Sequence, residues 1–162
     1  MISPKPPTPG DILNQPPLMS FNFLVVFYNG KGINAAPNPI DVRFQKVAGL
    51  GLSMGNLETK RIGGKNVRLP SFPTHENLTL ERGYVLRSPL RAELETSFEN
   101  LQMHPRDVMV MLLDPQGVPQ ASWIFFKAYP VKWNLGDLDA NQSSIFIETM
   151  DLSYTRFQSI SL

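Results

Sequence analysis

Residues 106–133, RDVMVMLLDPQGVPQASWIFFKAYPVKW, contain two apolar runs on either side of a short turn that carries proline and glycine. Apolar runs bounded by turn residues are typical of strands. A short turn between two such runs predicts an antiparallel hairpin. This segment therefore indicates that a β-sheet, not a helical bundle, forms the framework of the chain.

Most of the remaining chain continues the strand pattern. In FNFLVVFY (21–28), alternate residues from Phe21 to Phe27 are apolar, which is the period of a strand with one buried face. Further strands are predicted over 41–50, in ENLTLERG (76–83) and in SSIFIETMDLSYTRF (143–157). The 15 prolines and 11 glycines agree with many short strands joined by turns.

One segment, about 88–103, has the pattern of a helix. Ser88 is a favourable N-cap and Pro89 suits the first helical position. The His104-Pro105 step ends the segment, because proline disfavours helix at the preceding residue. Apolar residues recur at helical spacing and predict a face against the core. That face consists of Leu90, Leu94, Phe98 and Leu101.

Together these elements predict an α+β, mostly β fold. We expect an antiparallel β-barrel or sandwich with one α-helix and one projecting hairpin arm. The domain extends over 19–162. Residues 1–18 carry six prolines and little hydrophobic pattern, so we interpret them as a proline-rich N-terminal arm outside the core.

The predicted hairpin arm spans about 51–73 and turns at Gly63-Gly64. Its sequence TKRIGGKNVRLPSFP (59–73) places basic residues on both sides of the glycine pair. A phosphate-binding loop is excluded, because Asn66 follows Lys65 where Ser or Thr is required and no helix opens there. A basic, glycine-turned hairpin is the remaining interpretation.

Composition excludes several classes of function. The formal net charge is +1, so nothing predicts nucleic-acid recognition by the whole chain. There is no cysteine, which excludes disulfides, thiolate metal sites and cysteine nucleophiles. No apolar run reaches the roughly 20 residues of a membrane span.

No catalytic or metal-binding motif is complete in the sequence. His75 and His104 lie near prolines in turns and lack a paired ligand. DLDANQSSIFIE (137–148) resembles a calcium loop at Asp137, Asp139, Asn141 and Glu148, but Gln142 stands where the sharp turn needs glycine. We therefore predict no catalytic residue, no metal and no cofactor, and hence a protein that is not an enzyme.

The order of motifs is more specific than any one of them. FQKVAGL is followed by Glu58, the glycine pair, NLTLERG, SPL opening a helix, RDVMVMLLD, the W-x-x-x-x-A-Y-P-V-K-W run, DLDA and IETMDLSYTRF. From about Phe21 to Phe157 this series resembles the tail tube protein family of contractile-tailed bacteriophages and contractile injection systems. That family is similar in fold to the type VI secretion tube protein.

The resemblance implies a structural subunit whose hexameric rings stack into a hollow tube within a contractile sheath. It implies self-association, together with sheath, baseplate and other tube-family partners and a tape-measure or cargo protein in the lumen. It also implies assembly in the cytoplasm of the producing bacterium, as part of a phage tail-like particle that is released or retained.

The basic arm is expected to form the contacts between rings or between subunits. The residues expected there are Glu58, Lys60, Arg61, Gly63, Gly64, Lys65, Asn66 and Arg68. Polar strand residues expected to face either the lumen or the sheath are Lys46, Thr79, Glu81 and Glu148.

The sequence is compatible with several alternatives. Arg61-Ile62 stands where relatives often have an acidic residue, and the proline-rich arm is longer than a minimal tube subunit needs. Both departures leave open a baseplate-proximal ring that initiates the tube. A monomeric β-barrel binding module and a small hydrolase that uses helix carboxylates are more distant alternatives.

Overall fold

The computed structural model describes residues 22–28, 43–55, 58–69 and 73–161. The predicted N-terminal arm, 1–18, lies outside these residues, and so do Phe21 and residues 29–42. The described elements, in chain order, are β1 (Phe23–Tyr28), β2 (Lys46–Ala48), β3 (Leu52–Met54), β4 (Glu58–Ile62), β5 (Lys65–Leu69), β6 (Pro73–His75), β7 (Leu78–Gly83), α1 (Pro89–Asn100), β8 (Arg106–Leu113), β9 (Pro119–Leu135), β10 (Ile147–Ser153) and β11 (Arg156–Ser161).

The main sheet of the described chain is antiparallel, with the order β1-β8-β9-β10-β7-β2 and with β11 on β9. The hairpin predicted at 106–133 is confirmed: β8 and β9 pair from Arg106–Ala128 to Leu113–Pro119. The mostly β, α+β prediction is also confirmed. Between the two architectures that the sequence left open, the sheet follows the sandwich, because it does not close on itself within the described residues.

Strand β9 is long enough to belong to both layers of the sandwich. Its first part pairs with β8 and β11, and its last part pairs with β10. The strand is irregular at Lys127, which has a φ of 53° and whose amide donates a hydrogen bond to the Asp107 carboxylate at 3.0 Å. Such a bulge bends a strand and increases its twist. It therefore lets one strand serve both layers.

Both layers and the helix contribute to one hydrophobic core. Alternate residues of each strand point inward, as the period of two requires. The core includes Val25, Val108, Val110 and Phe125 from the first layer, Leu78, Leu80, Met150 and Leu152 from the second, and Leu90 and Leu94 from the helix.

Helix α1 begins as predicted but ends earlier. The Ser88 hydroxyl accepts a hydrogen bond from the Arg91 amide at 3.2 Å, and Pro89 opens the helix. The helix stops at Asn100, because Leu101 adopts a left-handed backbone conformation and its amide bonds back to the Ser97 carbonyl. A local cap, rather than Pro105, therefore sets the C-terminal end.

The early helix end corrects one predicted core residue. Leu90 and Leu94 are buried and Phe98 is half-buried, but Leu101 is 85% exposed. Because Leu101 caps the helix in a left-handed conformation, it leaves the stripe that the helical period assigns to it. The sequence prediction that Leu101 belongs to the core face is wrong.

Two strand predictions were too long. Of the described part of the segment 41–50, which begins at residue 43, only Lys46–Ala48 forms a strand. The segment 143–157 divides into β10 and β11, because residues 154–155 interrupt the strand opposite the bulge in β9. The division between β10 and β11 reflects pairing with the bent strand β9, which no local sequence pattern reveals.

Candidate functional site

The excursion between β2 and β7 is a two-part hairpin. Its stem is the antiparallel pair β3–β6, and its outer part is the pair β4–β5. We call residues 58–69 the arm. Every residue of the arm is exposed, so its contacts with the rest of the subunit do not account for its sequence.

The arm turns as its glycines predict. Gly63 and Gly64 have φ values of 59° and 79°, and the register closes at the Ile62–Lys65 pair. Two central residues with positive φ characterise the type I′ turn, whose twist matches that of the flanking strands. The glycine pair therefore permits the tight turn at the tip of the hairpin.

The stem is fixed to the body at its base. Gly49 has a φ of 88°, and a side chain there would collide with the Asn77 carbonyl oxygen. The Ser53 and Thr74 hydroxyls lie 3.1 Å apart across the stem. The His75 ring stacks on Tyr154 with centroids 4.2 Å apart. Packing at the base therefore holds one end of the hairpin, while its tip is exposed.

The two faces of the arm differ in chemistry. Alternation along β4 and β5 places Ile62, Val67 and Leu69 on one face. These three are 56%, 38% and 37% exposed. The residues that share this face with them are Glu58, Lys60 and Lys65, and those on the opposite, fully polar face are Thr59, Arg61, Asn66 and Arg68.

The predicted contact residues are thus all exposed, but they divide into two sets. Lys60 and Lys65 flank the apolar side chains, whereas Arg61 and Arg68 face away from them. The sequence prediction treated the basic residues as one group. The strand register, which separates them, follows from the position of the glycine turn.

A buried polar network joins the second layer to the helix. Arg82 and Glu148 are 1% and 0% exposed, and the Arg82 Nε donates to the Glu148 carboxylate at 2.8 Å. The same carboxylate accepts from Trp133 Nε1 at 2.9 Å, and Arg82 also donates to the Ser88 hydroxyl at 2.6 Å. The network therefore ties β7, β9 and β10 to the helix N-cap.

Sequence reasoning missed this network and misplaced Glu148, which was expected to face the lumen or the sheath. Its side chain points inward because it shares alternation with Met150 and Leu152 of β10. Arg82 likewise shares alternation with Leu78 and Leu80 of β7. The sequence did contain an indication of this burial, because in each strand the charged residue occupies the same alternate positions as the apolar residues.

The opposite face of the second layer is polar. Lys46 and Glu81 form an ion pair at 2.9 Å, and the Thr79 hydroxyl donates to the Asp151 carboxylate at 2.7 Å. These contacts cross from strand to strand on one face. The layer is therefore apolar toward the core and polar on its outer side.

In the described part of the chain, several candidate metal-binding and catalytic side chains are engaged by other groups and do not form a site. Glu148 of the calcium-loop resemblance is engaged inside the protein by Arg82 and Trp133. Within the described ranges, no three His, Asp or Glu side chains come together as a metal site. Of the helix carboxylates, Glu93 pairs with Arg106 of β8 and Glu95 lies 3.8 Å from Arg91.

No helix in the described part of the chain is long and apolar enough to cross a membrane. Burial raises the pKa of Tyr28 and, together with a smaller contribution from the Glu76 carboxylate, that of Tyr154. The Tyr154 hydroxyl is buried without a hydrogen-bond partner in the described residues.

The chain is similar to chains in several solved structures. A chain in the anti-feeding prophage (AFP) baseplate, 6-fold symmetrised, is 32% identical, with a TM-score of 0.77 over 91% of this chain and 97% of that one. A chain in the PVC sheath–tube complex of an extracellular contractile injection system is 20% identical, with a TM-score of 0.74 over 96% and 99%. A type six secretion system protein is 11% identical, with a TM-score of 0.52 over 86% and 83%.

The chains from the sheath–tube complex and from the type six secretion system share the fold of this protein. The second of them confirms the expected similarity to a type VI protein. No curated protein sequence matches the chain significantly. The family model of the T4-like virus tail tube protein gp19 matches residues 19–158, which is most of the chain. The family and these neighbours are structural proteins of tails and injection systems, not enzymes. The chain belongs to the family of the T4-like virus tail tube protein gp19.

Proposed function

We propose that this protein forms hexameric rings that stack into a hollow tube inside a contractile sheath. The observation that carries the proposal is the 32% identity, over nearly the full length of both chains, to a chain of a 6-fold symmetrised baseplate. Membership in a tail tube family supports the same role. The proposed partners are further copies of this chain, sheath and baseplate proteins, and other tube-family subunits.

The second layer of the sandwich offers two edges for ring closure. Among the described strands, β2 pairs only with β7, and residues 129–135 of β9 pair only with β10. Because these are opposite edges of one four-stranded layer, neighbouring subunits would meet head to tail and close a ring. Closure would also cover edges that otherwise invite aggregation. We expect each interface to exceed roughly 1,000 Å².

The polar outer face of this layer is proposed to line the lumen. Its charges are compensated locally, as in the Lys46–Glu81 pair and the Thr79–Asp151 hydrogen bond. A polar wall whose groups are already paired offers few sites at which a passing cargo or tape-measure protein would adhere. Glu148 is not part of this wall, since it is buried.

The arm is proposed to supply the contact between stacked rings. A hairpin whose apolar face is exposed in the described part of the subunit is suited to binding a neighbour. The predicted contact residues Glu58, Lys60, Arg61, Lys65, Asn66 and Arg68 remain candidates for this role. Assembly in the cytoplasm of the producing bacterium, within a phage tail-like particle, is part of the same proposal.

A position at the baseplate end of the tube is the second candidate. The 32% identical chain comes from a baseplate, whereas the chain from a sheath–tube complex is 20% identical. This difference is the observation that supports a ring that initiates the tube as an alternative to a subunit of the bulk tube. The two functions use the same fold and differ in copy number.

Electron microscopy of the purified protein, alone and with isolated baseplates, tests the proposal. Rings or tubes with a central hole are expected. Featureless monomers at high concentration, with no ring on the added baseplate, would instead support a monomeric binding module. Quantitative mass spectrometry of native particles separates the two positions: about six copies indicate one initiating ring, and copies on the order of hundreds indicate bulk tube.

A further inference from the structure

The arm and the loop between β9 and β10 lie at opposite ends of the second layer. The register places Leu78 of β7 opposite Leu152, next to the base of the arm, and Gly83 opposite Ile147, where β10 begins. The loop 136–146 therefore joins the layer at the Gly83 end. Six residues of extended chain separate the two ends by about 17–20 Å.

The Gly83 end exposes several large apolar side chains. We define the far-end surface as Leu135, Asp137, Leu138, Asp139 and Ile145. Leu135 is 41% exposed, Leu138 is 85% exposed and Ile145 is 69% exposed. Large apolar side chains exposed at one end of a layer are candidates for a site of protein association.

The backbone of this end is ordered by specific contacts. The Gly136 amide donates to the Ile147 carbonyl at 2.8 Å, and the Tyr84 amide donates to the Phe146 carbonyl at 2.8 Å. The Tyr84 and Phe146 rings lie 5.2 Å apart. Both ends of the loop are thus anchored, while its apolar side chains are presented outward.

The arm and the far-end surface are complementary. The arm presents exposed Ile62, Val67 and Leu69 on one face. Lys60 and Lys65 lie on the same face, and Glu58 lies there at the end nearest the stem. The far-end surface presents exposed apolar residues with the exposed carboxylates of Asp137 and Asp139, the second of which also accepts a hydrogen bond from the Asn141 amide at 2.9 Å. Apolar burial supplies a driving force for association, and opposite charges at the rim favour the correct register.

We propose that the apolar face of the arm docks on the far-end surface of a second copy of this chain in the adjacent ring. The inference rests on the proposed stacking of rings and names both sides of the contact. A contact between opposite ends of identical subunits is heterologous, so it repeats from ring to ring along the axis. Asp137 and Asp139 of the calcium-loop resemblance thereby have a role in docking.

The natural absence of cysteine permits a direct test by cross-linking. A chain carrying Lys65→Cys and Leu138→Cys is assembled and then oxidised. We expect a ladder of covalent multimers on a denaturing gel, because every arm meets the far-end surface of the next copy. Either substitution alone should give no ladder beyond dimers.

The matched control carries Lys65→Cys and Leu101→Cys, since Leu101 has the same 85% exposure as Leu138 but caps the helix. Tubes that form without the Lys65–Leu138 ladder, or an equal ladder from the control, would overturn the docking inference and leave the proposed function intact. Failure of the unmodified protein to form any ring or tube would overturn both.

A charge exchange tests the same contact without cysteine. The pair Asp137→Lys and Asp139→Lys should leave single rings but reduce stacked rings by about tenfold or more, because lysines would then face lysines. Adding Lys60→Asp and Lys65→Asp to the same chain should restore stacking. If the protein with Asp137→Lys and Asp139→Lys stacked as well as the unmodified protein, the proposed docking contact would be refuted.

Discussion

Charged residues serve opposite purposes in the arm and in the network beneath the second layer. Arg82 and Glu148 are almost completely buried and bonded to each other, to Trp133 and to Ser88. The lysines and arginines of the arm are exposed. A charge removed from water must be paired within the subunit, whereas an exposed charge remains available to a neighbour. The comparison separates residues that maintain the fold from residues that are available for assembly.

The largest effect on stability is expected from Glu148→Ala. The change leaves the Arg82 guanidinium buried without its carboxylate, which typically costs about 3–5 kcal/mol of unfolding free energy. Urea unfolding measures it. The matched control is Glu81→Ala, because Glu81 forms an exposed ion pair with Lys46 and should cost less than about 1 kcal/mol. Equal losses for both variants would contradict the distinction between the two kinds of charge.

An intermediate effect is expected from Tyr154→Phe at the joint between body and arm. The ring keeps its contacts with His75 and Phe125, while a buried hydroxyl without a partner in the described residues is removed. We expect unfolding free energy to rise by about 1 kcal/mol. A loss of stability in thermal or urea unfolding would show that the Tyr154 hydroxyl has a hydrogen-bond partner in the folded protein.

The same tyrosine predicts a dependence on pH. Because burial raises its pKa above the usual 10.0, the folded state favours the neutral hydroxyl. The stability associated with that shift is complete below pH 10.0 and is lost as the pH rises through the folded pKa. The advantage of Tyr154→Phe should therefore grow above pH 10, and an advantage independent of pH would contradict this origin.

The smallest effect on stability is expected from reversing the arm with Lys60→Glu, Arg61→Glu and Lys65→Glu. Exposed substitutions of this kind usually change unfolding free energy by less than about 0.5 kcal/mol each. We nevertheless expect assembly to be impaired, as judged by electron microscopy of the folded variant. Normal tubes from this protein would reject the role of the arm.

Much of the framework was predictable because it depends on local patterns. The hairpin at 106–133, the Ser88 cap and the glycine turn of the arm each follow from residues close together in the sequence. The helix end, the division between β10 and β11 and the burial of Glu148 were not predicted. Each of these depends on a cap conformation, a bent partner strand or a residue on another strand.

The candidate site was predicted in outline only. The sequence indicated a basic hairpin and named its residues, but it did not divide them between two faces or reveal a complementary surface at the opposite end of the layer. The division of the arm into two faces depends on the register between β4 and β5. The far-end surface combines residues of β9 with residues of the loop that follows it.

By itself, the sequence determined the class of fold, the start of the helix and the hairpin turn, because strand and helix periods and capping residues act over a few positions. Only the tertiary structure decided which charges are buried, which strand edges are free and which surfaces lie at opposite ends of the second layer. Those properties arise from pairing between strands distant in sequence, such as Arg82 with Glu148. Local preferences do not specify which distant strand supplies the partner.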